Sequence, residues 1–131
     1  MGGNLIWGDE PDQNKLIDTI EELDHMLDEL TTLSISDKTP MTVELTVNDE
    51  TMLRIVVGLN ISQILFVPKV AVPTAYSSHG DWSDEEEYIV FFYREHYSET
   101  PKKYWVAIEL ARDAMREYFR TGSKPTNVVW A

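Results

Sequence analysis

Three histidines, His25, His79 and His96, are the side chains of this chain best suited to proton transfer or to binding a transition metal. Their spacing assembles neither. They stand far apart, no His-Glu-x-x-His pair is present, and His25 falls between polar and apolar positions of a helical stripe, where it reads as a boundary residue. His79 with Asp81 and Asp84 offers donors to a hard cation, but calcium loops set their acidic ligands and glycine at other spacings. Serines lack the Gly-x-Ser-x-Gly context of an activated nucleophile, and no phosphate-binding loop occurs. The absence of cysteine removes disulfides, thiolate metal sites and a Cys nucleophile. No catalytic, cofactor-binding or metal-ligating set is assigned.

The chemistry that remains is recognition. Between Tyr76 and Glu87, two large aromatics, Tyr76 and Trp82, interleave with Asp81, Asp84, Glu85, Glu86 and Glu87. Such rings bury much area at little entropic cost and are common interface anchors, while carboxylates around them steer a cationic partner. These seven residues are the expected partner-binding set. The competing reading packs Trp82 onto the core and leaves the acidic run as a solvated lead-in to a strand.

Charge points the same way. Eleven Lys and Arg against twenty-three Asp and Glu give a net charge of −12, which argues against nucleic acid and anionic membranes as partners. Acidity also serves solubility alone. No signal-peptide pattern opens the chain and no apolar run approaches the ~20 residues of a membrane span, so the cytoplasm is the expected location.

These residues need a scaffold, and 131 residues suffice for one domain, 1–131. Residues 1–11 read as either a flexible leader or a short edge strand. From Asp12 to Leu33, Leu16, Ile20, Leu23, Leu27 and Leu30 follow a helical stripe with Asp12 as N-cap, and Glu21, Glu22, Asp24, Asp28 and Glu29 form a solvated face. After Pro40 the period becomes two. Met41, Val43, Leu45 and Val47, then Leu53, Ile55 and Val57, make a hairpin about the turn Asn48-Asp49-Glu50. Ile61 to Val67 reads as a third, central strand, Pro68 to Glu87 as a long irregular stretch, and Tyr88 to Arg94 as an aromatic fourth strand. Glu95 to Lys103 leads back to a last helix, Ala107 to Arg120, whose charged side pairs within itself.

That helix stops at Gly122 and Pro125, and the chain then runs through Val128-Val129-Trp130, a short strand docked in the fold. The pattern Ala111-x2-Ala114-x3-Tyr118-Phe119-x2-Gly122-x2-Pro125-x2-Val128-x-Trp130 resembles the C-terminal signature of immunity protein family one of bacterial polymorphic toxin systems. The resemblance implies an antidote that binds a cognate toxin domain and occludes its active site without chemistry of its own. It also implies a bacterial setting and a toxin of nuclease or deaminase type among others, to which the net charge of −12 adds the expectation of a basic cleft.

The expected architecture is α+β: a four- to five-stranded, mainly antiparallel meander sheet packed against an N-terminal and a C-terminal helix. A monomer or weak dimer is expected. An alternative is a small ligand-binding or enzymatic α+β domain in which Phe91, Phe92, Tyr93, Tyr97, Tyr104 and Trp105 line a pocket, although core packing of these rings is the simpler account. A third reading, a scaffold that pairs through its first helix, predicts a dimer.

Overall fold

Thr19, rather than Asp12, starts the first helix. The computed structural model describes residues 2–68, 75–80, 87–93 and 96–130. In it α1 spans Ile20–Ser36, with Glu22 N donating to Thr19 Oγ1 at 3.1 Å. A Thr with Glu three residues on caps a helix more effectively than the Asp12 signal upstream. Asn14–Ile17 instead forms β2, paired with β1 (Gly3–Ile6). Alternation decides which residue is buried there: Ile17 is enclosed, while Leu16, expected in the helical stripe, is 73% exposed. β1 is neither leader nor edge, because it lies between β2 and β3 (Met41–Thr46).

The expected hairpin is present. β3 pairs with β4 (Thr51–Val57) in the register Leu45↔Leu53 and Met41↔Val57. Asn48 Oδ1 accepts from the Glu50 and Thr51 amides at 2.9 Å each, an Asx arrangement that fixes the turn. The single strand expected at Ile61–Val67 is broken at Ile64 into β5 (Ile61–Gln63) and β6 (Leu65–Pro68). Side-chain hydroxyls occupy the backbone where the strand changes partners: Ser62 Oγ accepts from Val56 N at 2.8 Å and Ser78 Oγ from Ile64 N at 2.9 Å. β6 stays beside β4 and takes β7 (Tyr76–Ser77) on its other edge, whereas β5 pairs with β10 (Trp105–Ala107) in a separate ribbon.

β8 (Tyr88–Tyr93) is the aromatic strand, but the chain does not return directly to the last helix. It folds back as β9 (His96–Pro101) before a 3-10 turn at Lys102–Tyr104. β8 joins the sheet parallel to β3 at Met41↔Phe92, with Phe92 N donating to Pro40 O at 2.8 Å. The result is α+β with two helices and a mostly antiparallel sheet. Its order, β2-β1-β3-β4-β6-β7 with β8–β9 attached at β3, is not a meander, and it holds more strands than expected.

Two apolar clusters lie on opposite faces of the sheet. On the helix side, Leu23, Met26, Leu27 and Leu30 of α1 and Ala111, Ala114, Met115, Tyr118 and Phe119 of α2 (Ile108–Thr121) cover Val43, Leu45, Leu53, Ile55 and Val57. The other face carries a smaller cluster of Val56, Phe91 and Trp105. Gly122, left-handed at φ 68°, ends α2, and its amide bonds Tyr118 O at 2.7 Å. The segment beyond is docked: Val128 is buried, Trp130 bridges Ser78, and its indole donates to Pro125 O at 3.0 Å. Between the helices, Arg112 Nη1 meets Asp28 at 2.6 Å and Arg116 Nε meets Asp24 at 2.8 Å. Asp24 and Asp28 therefore tie α1 to α2 instead of lying on a merely solvated face, and Arg112 reaches across to α1 where pairing within α2 was expected.

Candidate functional site

Strand pairing places the side chains of the hairpin without further assumption. Because Phe92 sits beside Met41 in register, and Met41 packs on the helix-side core, the residues sharing Phe92's face continue that side of the sheet. They are Tyr88 and Val90 on β8 and, directly across, Tyr97, Glu99 and Pro101 on β9. Neither helix extends over them. Tyr88 is 55% exposed, Val90 38% and Tyr97 63%, so the sheet's helix face continues bare for the length of the hairpin. Phe92 and Tyr97 meet edge to face with centroids 6.1 Å apart. The Tyr97 hydroxyl donates to Glu99 Oε2 at 3.1 Å, which holds the phenol proton and raises the Tyr97 pKa.

Beside Phe92 the strip opens into a groove of about 370 Å³ lined by Trp7, Gln13, Leu33, Asp37, Thr39, Met41 and Phe92. Leu33 on its wall is also exposed. Rings and aliphatic groups on the strip, with a single carboxylate at Glu99, make a surface suited to bury area against a partner and to attract a cation at one point.

The opposite face of the hairpin fixes its position. Ile89 and Tyr93 pack against Phe91, Val56 and Trp105, and the Phe91 and Trp105 rings meet at 5.7 Å. Arg54 of β4 lies beneath them, its guanidinium carbon 5.2 Å from the Tyr93 ring and 5.8 Å from Phe91. Across the β3–β4 ladder stands Glu44, only 6% exposed, beside Thr42, which is also buried. Burial lowers the Arg54 pKa and the charge of Glu44 raises it in opposition. Polar alternation on β3 therefore marks a second enclosed layer and not a solvent face.

The expected partner set is divided by this geometry. Asp81, Trp82, Asp84, Glu85 and Glu86 lie outside the described residues. Tyr76 belongs to the core edge: its ring is 6.3 Å from Phe66, and Lys124 Nζ stands 4.1 Å from its centroid. Glu87 Oε2 takes an ion pair from Lys102 Nζ at 3.2 Å. The flanks of residues 81–86 are anchored on neighbouring residues, since Gly80 N donates to Lys103 O at 2.7 Å and Lys102 N to Glu87 O at 2.8 Å.

Sequence reasoning treated the β8 rings as core or pocket lining. The structure sends alternate ones to opposite faces, with Phe91 buried, Tyr97 across the hairpin exposed, and Trp105 enclosed. Phe91, Tyr93, Tyr104 and Trp105 gather in one packed cluster, and Phe92 and Tyr97 stand together on the other face. A signal for the bare face was present: Tyr88 to Tyr93 is apolar at both parities, and the two helices of the chain already cover the earlier strands. Among the described residues no group of three or more His, Asp or Glu is arranged to hold a metal ion, and no helix is long and apolar enough to cross a membrane.

No curated protein matches the chain. The family model of immunity protein Imm1 does, over residues 12–131, and the chain belongs to that family.

Proposed function

For this member of the Imm1 family of immunity proteins, we propose a non-catalytic antidote that binds a cognate bacterial toxin domain and occludes its active site. The observation that carries the reading is the bare strip Tyr88, Val90 and Tyr97, a helix-side sheet face with no helix on it. A folded domain that leaves such a face open gains by covering it with a partner. The acidic aromatic run Asp81, Trp82, Asp84, Glu85 and Glu86 enters β8 directly through Glu87, so it would flank the same contact. With a net charge of −12, the preferred toxin carries a basic cleft, as a nuclease or deaminase does, and association is fastest at low salt. The antidote acts in the cytoplasm of the producing cell, as a monomer or weak dimer that pairs one to one with its toxin.

The test is protection. Cells expressing the cognate toxin domain should survive with this protein and die when it carries Tyr88→Ala, Val90→Asp and Tyr97→Ala together. Trp82→Ala with Asp84, Glu85 and Glu86 neutralised tests the acidic flank in the same assay. Undiminished protection by both variants, at unchanged expression, rejects this surface.

A further inference from the structure

The ladder between β8 and β9 also fixes where the main chain of β9 points. Lys102 N bonds Glu87 O, so Tyr88 and Pro101 form a wide, non-bonded pair, and the bonded pairs are Ile89 with Thr100, Phe91 with Ser98 and Tyr93 with His96. Phe92 N, turned away from β9 toward Pro40 O, agrees with that phase. The amides and carbonyls of Tyr97 and Glu99 therefore face the outer edge of β9. Among the described residues no hydrogen bond reaches them.

Other single-neighbour strands are shorter, β5 and β10 having three residues each. β7 is two residues long and closed by the bridge from Ser78 to Trp130, and β2 has four residues with Lys15 among them. β9 has six residues and no lysine, and its only proline, Pro101, stands at its end. It is the longest strand with a single neighbour among the described residues. Its edge is continuous with the bare strip, because Tyr97 and Glu99 supply both the open backbone groups and the exposed side chains.

We propose that the toxin domain docks by adding an extended, cationic segment as a further strand on the outer edge of β9, its main chain bonding Tyr97 and Glu99. This rests on the antidote reading above. Alternate side chains of the added strand would continue the strip beside Tyr97, and a Lys or Arg opposite Glu99 would complete a cross-strand ion pair. A second copy of this chain is the poorer occupant, since each carries −12.

Backbone chemistry separates this from ordinary side-chain contact. Proline at position 99 removes an outward amide and spares the bonds of Ser98 and Thr100 to β8, so Glu99→Pro should keep the hairpin while blocking the edge. Against the cognate toxin domain, Glu99→Pro should bind at least tenfold more weakly than Glu99→Ala, which loses the carboxylate alone. In the unmodified complex, hydrogen exchange at the Tyr97 and Glu99 amides should slow at least tenfold, a readout that stands even if Glu99→Pro fails to fold. A complex that forms with both amides still exchanging freely overturns the added strand and leaves the antidote reading intact. Concentration-dependent protection in the protein alone assigns the edge to a second copy and also overturns it. If no complex forms, the antidote reading falls and the added strand with it.

Discussion

On β3 and β4 the helix-side residues Val43, Leu45, Leu53, Ile55 and Val57 are wholly enclosed, whereas on β8 and β9 the same side of the same sheet shows Tyr88, Val90 and Tyr97 to solvent. Apolar character does not separate the two regions, for β3 and β4 are rich in β-branched and aliphatic residues and β8 is rich in aromatic ones. What differs is supply: two helices are long enough to roof the strands near the chain's centre, and β8–β9 is attached outside their reach by a single parallel pair at Met41 and Phe92. The covered half stores stability and the open half is left exposed. Apolar character in a strand therefore says that a face will be covered, but not by what.

The largest expected effect breaks the covered half. Tyr118→Ala empties a fully enclosed site beside Phe66 and removes the hydroxyl that meets Thr51 Oγ1 at 2.8 Å. It should cost about 3–5 kcal/mol in urea unfolding, as buried aromatics do, while Tyr97→Ala should stay within about 0.5 kcal/mol. Equal losses at the two sites would erase the distinction.

Arg54→Ala tests the join between the halves. It removes the cation beneath Phe91 and Tyr93 and should cost about 2 kcal/mol. The loss should appear first as faster hydrogen exchange in β8 and β9, with β3 and β4 protected. Uniform loss across the sheet would mean that the hairpin is not a separately held unit.

The smallest effect sharpens the covered side. Asp24→Asn weakens the bond from Arg116 Nε across the helix pair and should cost under about 1 kcal/mol at low salt. In molar salt, where exposed charges are screened within about 3 Å, the difference should vanish. A cost independent of salt would show that the link acts through packing.

Much of this was legible along the chain. Asn48 set the β3–β4 turn and Gly122 the end of α2, because each acts through neighbours in sequence. The start of α1 was misplaced because Leu16 lies four residues before Ile20 and imitates a helical stripe, although strand alternation buries Ile17. Burial of Glu44 and Thr42 was hidden for another reason: a polar residue alternating with apolar ones looks solvated until a distant strand is laid over it. Of the expected contact residues, Tyr76 and Glu87 proved to have partners inside the molecule, Phe66 and Lys124 for one and Lys102 for the other.

By itself the sequence determined the class of the fold, the central hairpin, the helix stop at Gly122, the family signature that ends at Trp130 and the acidic character of the surface. Periodicity, turn chemistry and net charge are local or additive properties, readable without knowing which segments meet. Tertiary structure alone decided that β8 and β9 join β3 beyond the helices, that Arg54 anchors their inner face, and that Tyr88, Val90 and Tyr97 are left open. Each of those outcomes depends on which distant segments meet across the sheet and how far two helices reach over it, and no stretch of neighbouring residues encodes that.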